Sequence, residues 1–264
     1  MQYILKKGLS LPKRGPKKGD NGKVLVVGGS KDYVGAPALA GLAALRSGVD
    51  WVTIAAPEKV GWAINALSPD LIIKKYKGDD FCASRAKDIL KEESKYDVVL
   101  IGNGIGMHAA SFVNKYIRES KKPLVIDADA IKVISIHIVN NSIITPHKRE
   151  FELLMRNSKI KTKKELQKNL RDNVIILKGP IDEIITKNRI FYNKTGNAGM
   201  TKAGTGDVLA GLAAGFYAQT KDKIKAAKMA AYYNGLIGDI LLKKKKGFTY
   251  LASDMVAEIK RIKK

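Results

Sequence analysis

The run Gly196-Asn197-Ala198-Gly199-Met200-Thr201-Lys202-Ala203-Gly204-Thr205-Gly206-Asp207 leads straight into the apolar stretch Val208-Leu209-Ala210-Gly211-Leu212. Ala203 to Gly206 have almost no side chain between them, so their backbone N–H groups can close around an anion. A helix beginning near Thr205 adds unpaired donors and the positive end of its dipole. Asp207 then stands in the first turn, where a carboxylate reaches whatever approaches the anion. A negative side chain beside a phosphate-sized cradle makes sense with a metal ion or a proton-transfer role. A plain helix cap is the simpler reading: Thr205 as N-cap, Asp207 complementing the dipole. Capping, however, needs neither three small residues before it nor the glycine-rich run upstream. The expected chemistry is an anion cradle with a general base.

Five other stretches stand at the ends of apolar runs. Gly28-Gly29-Ser30, followed by Tyr33-Val34-Gly35-Ala36-Pro37, is either a glycine-rich turn or a small-walled approach to a ligand. Gly102-Asn103-Gly104-Ile105-Gly106 lacks the spacing of a dinucleotide fingerprint but allows close backbone approach. Asp127-Ala128-Asp129-Ala130 sets two carboxylates at a strand terminus, to hold a metal through water or to cap the next helix. Thr145-Pro146-His147 places an imidazole in the first turn of a helix, as a structural residue or a ligand contact. Lys178-Gly179-Pro180-Ile181-Asp182 follows another strand and suits a nucleotide phosphate or ribose.

These stretches need a scaffold that brings strand ends together. Short apolar strands are expected at Lys23 to Gly28, Trp51 to Ala55, Asp70 to Tyr76, Asp97 to Gly102, Leu124 to Asp127, Ser142 to Ile144 and Val174 to Gly179. Helices are expected between them at Gly35 to Gly48, Glu58 to Leu67, Phe81 to Glu93, Phe112 to Ser120, Pro146 to Leu154 and Lys163 to Leu170. Glu183 to Lys187 and Arg189 to Tyr192 predict an antiparallel hairpin turning at Asn188. Two long helices follow, Thr205 to Gln219 and Asp222 to Leu242, then the charged end Lys243 to Lys246 and a last helix capped by Ser253. The alternation predicts a single α/β domain over 1–264. Its sheet is doubly wound, mostly parallel and flanked by helices on both faces, with a basic exposed arm over 1–22. Ligands in such sheets bind beyond the carboxyl ends of the strands.

Composition narrows the partners. Lys and Arg number 48 against 25 Asp and Glu, for a net charge of +23, a field that attracts nucleotides as well as polyanions. The lysines are spread along the chain, and no basic segment interleaves with aromatics as in single-strand binders, so nucleic acid is not the expected partner. A single cysteine, Cys82, excludes an intrachain disulfide and a cysteine-based zinc site and is expected as a small core or helix-face residue. The basic N-terminus is not a signal peptide, and no run reaches the ~20 apolar residues of a membrane span. The expected location is cytoplasmic.

Taken together, Lys18-Gly19-Asp20-Asn21-Gly22, Gly28-Gly29-Ser30, Gly35-Ala36-Pro37, Ala44-Leu45-Arg46-Ser47-Gly48, Asp127-Ala128-Asp129-Ala130, Thr145-Pro146-His147, Lys178-Gly179 and the stretch Gly196 to Gly211 resemble the ribokinase-like NAD(P)H-hydrate dehydratases. The resemblance covers nearly the whole chain, and the Met200 to Asp207 segment is its most specific part. It implies a ribokinase-like fold and nucleotide-driven removal of water from hydrated NADH or NADPH. The adenine nucleotide would be ADP, giving AMP and phosphate, or ATP, with Mg²⁺ screening its charge. By the same resemblance, Ala36, Gly104, Gly106, His147 and Asp207 contact the hydrated dinucleotide. Lys178, Gly179, Pro180, Ile181 and Asp182, with Asn197, Ala198, Gly199, Met200, Gly204, Thr205 and Gly206, contact the adenine nucleotide. No metal-ligating residue is assigned. A separate NAD(P)H-hydrate epimerase is the expected pathway partner and a homo-oligomer the expected assembly.

Three positions depart from the family pattern. Lys148-Arg149-Glu150 puts Arg149 where a small residue is usual, Ala203 precedes Gly204-Thr205-Gly206-Asp207 in place of glycine, and Gly102-Asn103-Gly104 stands for Gly-Pro-Gly. Asp207 is the expected catalytic base of a kinase-like first step. Two other readings remain: a ribokinase-like kinase for a vitamin-precursor alcohol, and a basic nucleic-acid-binding protein, which predicts steeply salt-dependent affinity.

Overall fold

The computed structural model describes Lys17 and residues 19–259. The chain runs through β1 (Lys23–Val27), α1 (Gly35–Arg46), β2 (Trp51–Pro57), α2 (Glu58–Leu67), β3 (Ile72–Tyr76), α3 (Arg85–Leu90), β4 (Val98–Ile101) and α4 (Ala110–Glu119). It continues with β5 (Leu124–Ile126), α5 (Asp129–Val133), β6 (Ser142–Ile144), α6 (Lys148–Asn157), α7 (Lys163–Asn169), β7 (Val174–Leu177), β8 (Asp182–Ile185) and β9 (Ile190–Asn193). Three helices close it: α8 (Thr205–Thr220), α9 (Lys223–Lys244) and α10 (Ala252–Glu258).

All nine strands lie in one sheet, in the order β3-β2-β1-β4-β5-β6-β7-β8-β9. Pairing is parallel from β3 to β7 and antiparallel across β8 and β9. The period-2 alternation of each strand divides its buried residues between two cores. Val24, Val26, Ile54, Leu100, Val125, Ile143 and Ile176 face α1, α2, α8, α9 and α10. Leu25, Val27, Val99, Ile101, Ile126, Ile144 and Ile175 face α3 to α7. The expected doubly wound sheet is therefore present. From β1 the chain winds outward to β3, then returns to place β4 on the other side of β1. That reversal opens a crevice beyond the carboxyl ends of β1 and β4.

Several local expectations are revised. Most of the basic arm lies outside the described residues. At its end, Gly19 and Asn21 donate backbone N–H groups to Asp50 Oδ2 at 2.8 and 3.0 Å, so these residues are fastened rather than free. The helix expected over Phe81 to Glu93 shrinks to α3. Its end gives way to a short 3₁₀ turn because the Glu93 carboxylate is buried, accepting from Tyr116, Ser120 and the Lys121 N–H. Cys82 is exposed, in the loop before α3, rather than in the core or on a helix face. Leu251, not Ser253, is the N-cap residue of α10, and the Asp254 carboxylate accepts its N–H at 2.9 Å.

Gly48 has φ of 109° just past α1, the left-handed ending expected there. The main helical contact of the site-bearing face runs between α1 and α8, both rich in alanine and glycine. A Cβ on Gly211 would overlap the Ala40 carbonyl oxygen, and one on Gly215 the Ser47 hydroxyl. The two backbones thus touch directly, and α8 cannot slide along α1. Gly to Ala in a helix interior ordinarily stabilises by about 1 kcal/mol. Gly211→Ala should instead lower the melting temperature by several degrees, since overpacking against fixed backbone costs about 1–3 kcal/mol. Thermal denaturation followed by circular dichroism checks the sign.

Candidate active site

The loops after β1, β4, β5, β6 and β7 converge at one side of the sheet. Gly29 N–H donates to the Asn103 carbonyl at 3.0 Å, joining the first two of these loops, and a Cβ on Gly28 would overlap that same oxygen. Gly102, at φ 123°, fits against the Asp127 carbonyl in the same way. Glycine is required at these positions because backbone packs on backbone.

A polar network fills the space so formed. Asn103 Nδ2 donates to Asp127 Oδ2 at 2.9 Å and to Asp207 Oδ1 at 2.7 Å. Asp127 Oδ1 also accepts from Thr145 Oγ1 at 2.7 Å and from Lys178 Nζ at 3.1 Å. Lys178 Nζ lies 3.9 Å from Glu150 Oε2. Burial, reinforced by the Asp127 charge, pushes the Asp207 carboxyl up to about 7, against the pull of the Asn103 amide and the Lys178 ammonium. Burial also opposes the Lys178 charge, but the Asp127 and Glu150 carboxylates outweigh it and hold the ammonium above its ordinary value. Burial raises Glu150, partly offset by Lys178. The site therefore holds an ammonium that stays charged and a carboxyl that exchanges its proton near neutrality.

The start of α8 has backbone geometry that suits an anion. Gly204 is its N-cap, at φ 91° with no side-chain cap; the Thr205 N–H donates to the Lys202 carbonyl at 3.4 Å, while those of Gly206 and Asp207 are left to face a ligand. Thr205 is the first helical residue and not the cap. Its hydroxyl turns back to the Met200 and Lys202 carbonyls at 2.7 and 2.9 Å, holding the preceding loop against the helix. A Cβ on Gly206 would meet Lys178 Nζ at 3.3 Å, so the ammonium stands over the cradle. Ala198–Thr201 form a 3₁₀ turn with Asn197 as its N-cap. Asn197 Oδ1 accepts from Tyr250 OH at 2.7 Å, while Asp239 takes the Gly196 N–H and Asn197 Nδ2 at 3.0 and 3.1 Å. Gly179 N–H donates to Asp182 Oδ1 at 3.1 Å, and burial raises the Asp182 carboxyl. Pro180 and Ile181 form the exposed tip of that turn.

On the other side, Gly104 packs closely against the start of α1, for a Cβ on it would meet the Tyr33 Cβ at 2.6 Å and the Ala36 Cβ at 3.2 Å. Gly106 N–H donates to Asp129 Oδ2 at 3.0 Å, and Lys132 Nζ lies 2.6 Å from the other Asp129 oxygen. Neither Asp127 nor Asp129 caps α5; its N-cap is Ala128, with no side-chain bond. His147 is the N-cap of α6 rather than a first-turn residue. Its Nδ1 accepts the Glu150 N–H at 3.3 Å while Glu150 Oε2 accepts the His147 N–H at 2.9 Å. Half of the imidazole remains exposed toward the crevice mouth.

The structure thus gathers Asp207, Lys178, Gly204, Thr205 and Gly206 with Asn197 to Met200, and sets Ala36, Gly104, Gly106 and His147 along the same strand-end face. Pro180, Ile181 and Ala198 are exposed at its rim. The site assignment drawn from the sequence omitted the side chains of Asn103, Glu150, Asp239 and Tyr250. Only Glu150 had a local signal, the three-residue spacing of a capping box from His147. Among the described residues no three His, Cys, Asp or Glu converge as a metal site. Mg²⁺ bound chiefly by substrate phosphates and water fits this donor set, and a resident metal does not.

Asp207 has a raised carboxyl, so its ionised form costs stability. That cost is absent below about pH 4, develops as pH rises through about 7, and is constant above. Asp207→Asn should melt higher than the parent at pH 8, with the gain shrinking toward pH 5. Melting curves across that range check this.

Comparison with known proteins gives one consistent picture. A family model described as NAD(P)H-hydrate dehydratase matches residues 24–261. A bifunctional NAD(P)H-hydrate repair enzyme of Methanocaldococcus jannaschii is 42% identical over 252 residues, covering 94% of this chain and 49% of that protein. The chain therefore spans about half the length of several curated relatives that it matches. An ADP-dependent (S)-NAD(P)H-hydrate dehydratase of Nitrosopumilus maritimus is 32% identical over 99% of this chain and 95% of its own. A crystal structure of the Bacillus subtilis ADP/ATP-dependent NAD(P)H-hydrate dehydratase, co-crystallised with ATP/Mg²⁺, superposes with a TM-score of 0.81 at 26% identity, covering 98% of this chain and 96% of that one.

Proposed function

Since this chain belongs to the NAD(P)H-hydrate dehydratase family, we propose that it restores NADH or NADPH from their hydrates, driven by an adenine nucleotide, with ADP giving AMP and phosphate. The observation that carries this reading is Asp207. A half-buried carboxyl brought to about 7 stands in the first turn of an uncapped helix, beside Lys178. A base poised near the working pH combines proton acceptance with a usable ionised fraction.

In the first step Asp207 takes the proton from the ring-carbon hydroxyl of the hydrate as that oxygen attacks the terminal phosphoryl group. The N–H groups of the Gly204 to Gly206 turn and the Lys178 ammonium steady the charge on the transferring group. The hydroxyl, a poor leaving group as hydroxide, thereby becomes phosphate. The ring-nitrogen lone pair expels it, and loss of a proton from the adjacent ring carbon restores the dihydropyridine. Mg²⁺ entering with the nucleotide supplies charge screening. On the substrate side stand Ala36 and Gly104, with Gly106 and His147. On the nucleotide side stand Lys178 to Asp182 and Asn197 to Met200.

A separate epimerase, which would interconvert the hydrate epimers, belongs to the same proposal, supported by the bifunctional naming of relatives twice this length. So do a homo-oligomeric assembly and a cytoplasmic location. On the latter, no described helix is long and apolar enough to cross a membrane.

The test is absorbance at the dihydronicotinamide band while the protein acts on hydrated NADH or NADPH with Mg²⁺ and ADP, ATP or neither. The band should return only with nucleotide, and the two arms identify the phosphoryl donor. Asp207→Asn should bind ADP normally yet lose about 10²–10⁴-fold in turnover. Folded parent protein that binds ADP but returns no band would support a small-molecule kinase instead.

A further inference from the structure

Asn103 is wholly buried at the end of β4, and both N–H bonds of its amide are used on carboxylates. With the amide turned over, Oδ1 would face two carboxylate oxygens, so charge selects the orientation with Nδ2 between them. Its own Oδ1 is buried with no protein partner. A buried acceptor left unpaired is destabilising by itself. The side chain is thus arranged around the two carboxylates and not around its own satisfaction. Its backbone is equally constrained: the carbonyl accepts from Gly29 and fits against Gly28, so the amide has one origin and one direction. The loop has asparagine where the resembled family usually has proline, and a proline offers no donor to either carboxylate.

We propose that Asn103 is the positioning residue for the base: it holds Asp207 Oδ1 in place, leaves Oδ2 to face the substrate hydroxyl, and sets the pH at which the base becomes available. The role of Asp207 as base rests on the dehydratase reading; the control of its ionisation by Asn103 does not. The charged groups around Asp207 are Asp127 after β5, Asp129 at the start of α5 and Lys178 after β7, with Glu150 of α6 behind Lys178. Of these, Lys178 favours the carboxylate and the two aspartates oppose it. Asn103 is the neutral donor that touches Asp207 directly. Without it, Asp127 keeps Thr145 and Lys178, but Asp207 loses its hydrogen bond.

The experiment compares the full chain with Asn103→Leu, which keeps the branched shape and removes both donors, and with Asn103→Ser as a second variant in case the first folds poorly. The first readout is direct titration of Asp207 by carbon-13 NMR of aspartate-labelled protein, assigned with Asp207→Asn. A hydrogen bond to a charged group accounts for roughly one to two pH units. The Asp207 midpoint should therefore rise by at least about one unit in either variant. The second readout is the pH dependence of kcat in the hydrate assay. Its acid limb should move up by the same amount, with ADP affinity within about twofold of the parent. An unchanged Asp207 midpoint in a folded variant overturns the proposal. So does a uniform loss of kcat at every pH with no displaced limb, which is what a merely structural residue gives. If the parent has no hydrate activity but the midpoint still moves, control of Asp207 by Asn103 stands and the dehydratase reading is what fails.

Discussion

Two aspartates that belong to elements far apart in sequence face a single amide, and the rest of the site is arranged to make that tolerable. Bringing like charges together in a partly buried space is unfavourable unless donors and a cation compensate. Asn103 supplies the donors and Lys178 the cation, and Thr145 completes the shell of Asp127. The compensation is unequal. Asp127 has three partners, while Asp207 has one amide and a more open position, so the energetic strain of the pair falls on Asp207. A carboxyl that is the less satisfied member of a pair is the one that exchanges protons near neutrality.

The scaffold makes this possible because Asn103, Asp127, Thr145 and Lys178 each leave a different strand at its carboxyl end. Parallel pairing aligns those ends on one side of the molecule, and the reversal between β1 and β4 opens the space between them. The cradle helix α8 then needs a fixed axial position, since a shift of one residue would remove Asp207 from Asn103. Direct backbone contact with α1 through Gly211 and Gly215 provides that fixation. The glycines of this fold thus serve two ends: some permit the loops to close on each other, and others lock the helix that presents Asp207.

Much of this was legible in the sequence, because parallel strands flanked by glycine and turn residues have a strong local pattern. The strand and helix alternation, the β8–β9 hairpin, the α8 cradle and the strand-end location of Asp127, His147 and Lys178 all followed from it. What could not be read was which side chains meet. Asn103 and Asp207 are separated by 104 residues and Asn103 and Asp127 by 24, and nothing local in the β4 loop distinguishes a donor amide from a turn asparagine. The short helix α3 escaped for a related reason. Its continuation through Glu93 is locally reasonable, and the tertiary bonds from Tyr116, Ser120 and Lys121 override it. The simpler reading of Thr205 as a cap fails, as its hydroxyl bonds across the loop rather than along its own helix.

At β7 the sheet changes from parallel to antiparallel, and this has an evolutionary side. Every earlier strand end is followed by helical crossover chain that leads to the next parallel strand. Lys178 instead leads into a tight turn and an adjoining hairpin, a unit of low contact order at the end of the sheet. Residues gained or lost in such a turn add little loop-closure entropy and disturb none of the long-range pairings. The rim formed by Pro180 and Ile181 is therefore the part of the pocket that can vary between lineages at the smallest cost to folding. The Asn103–Asp127–Asp207 cluster, pinned by the ends of β4 and β5 and by a locked helix, has no such latitude.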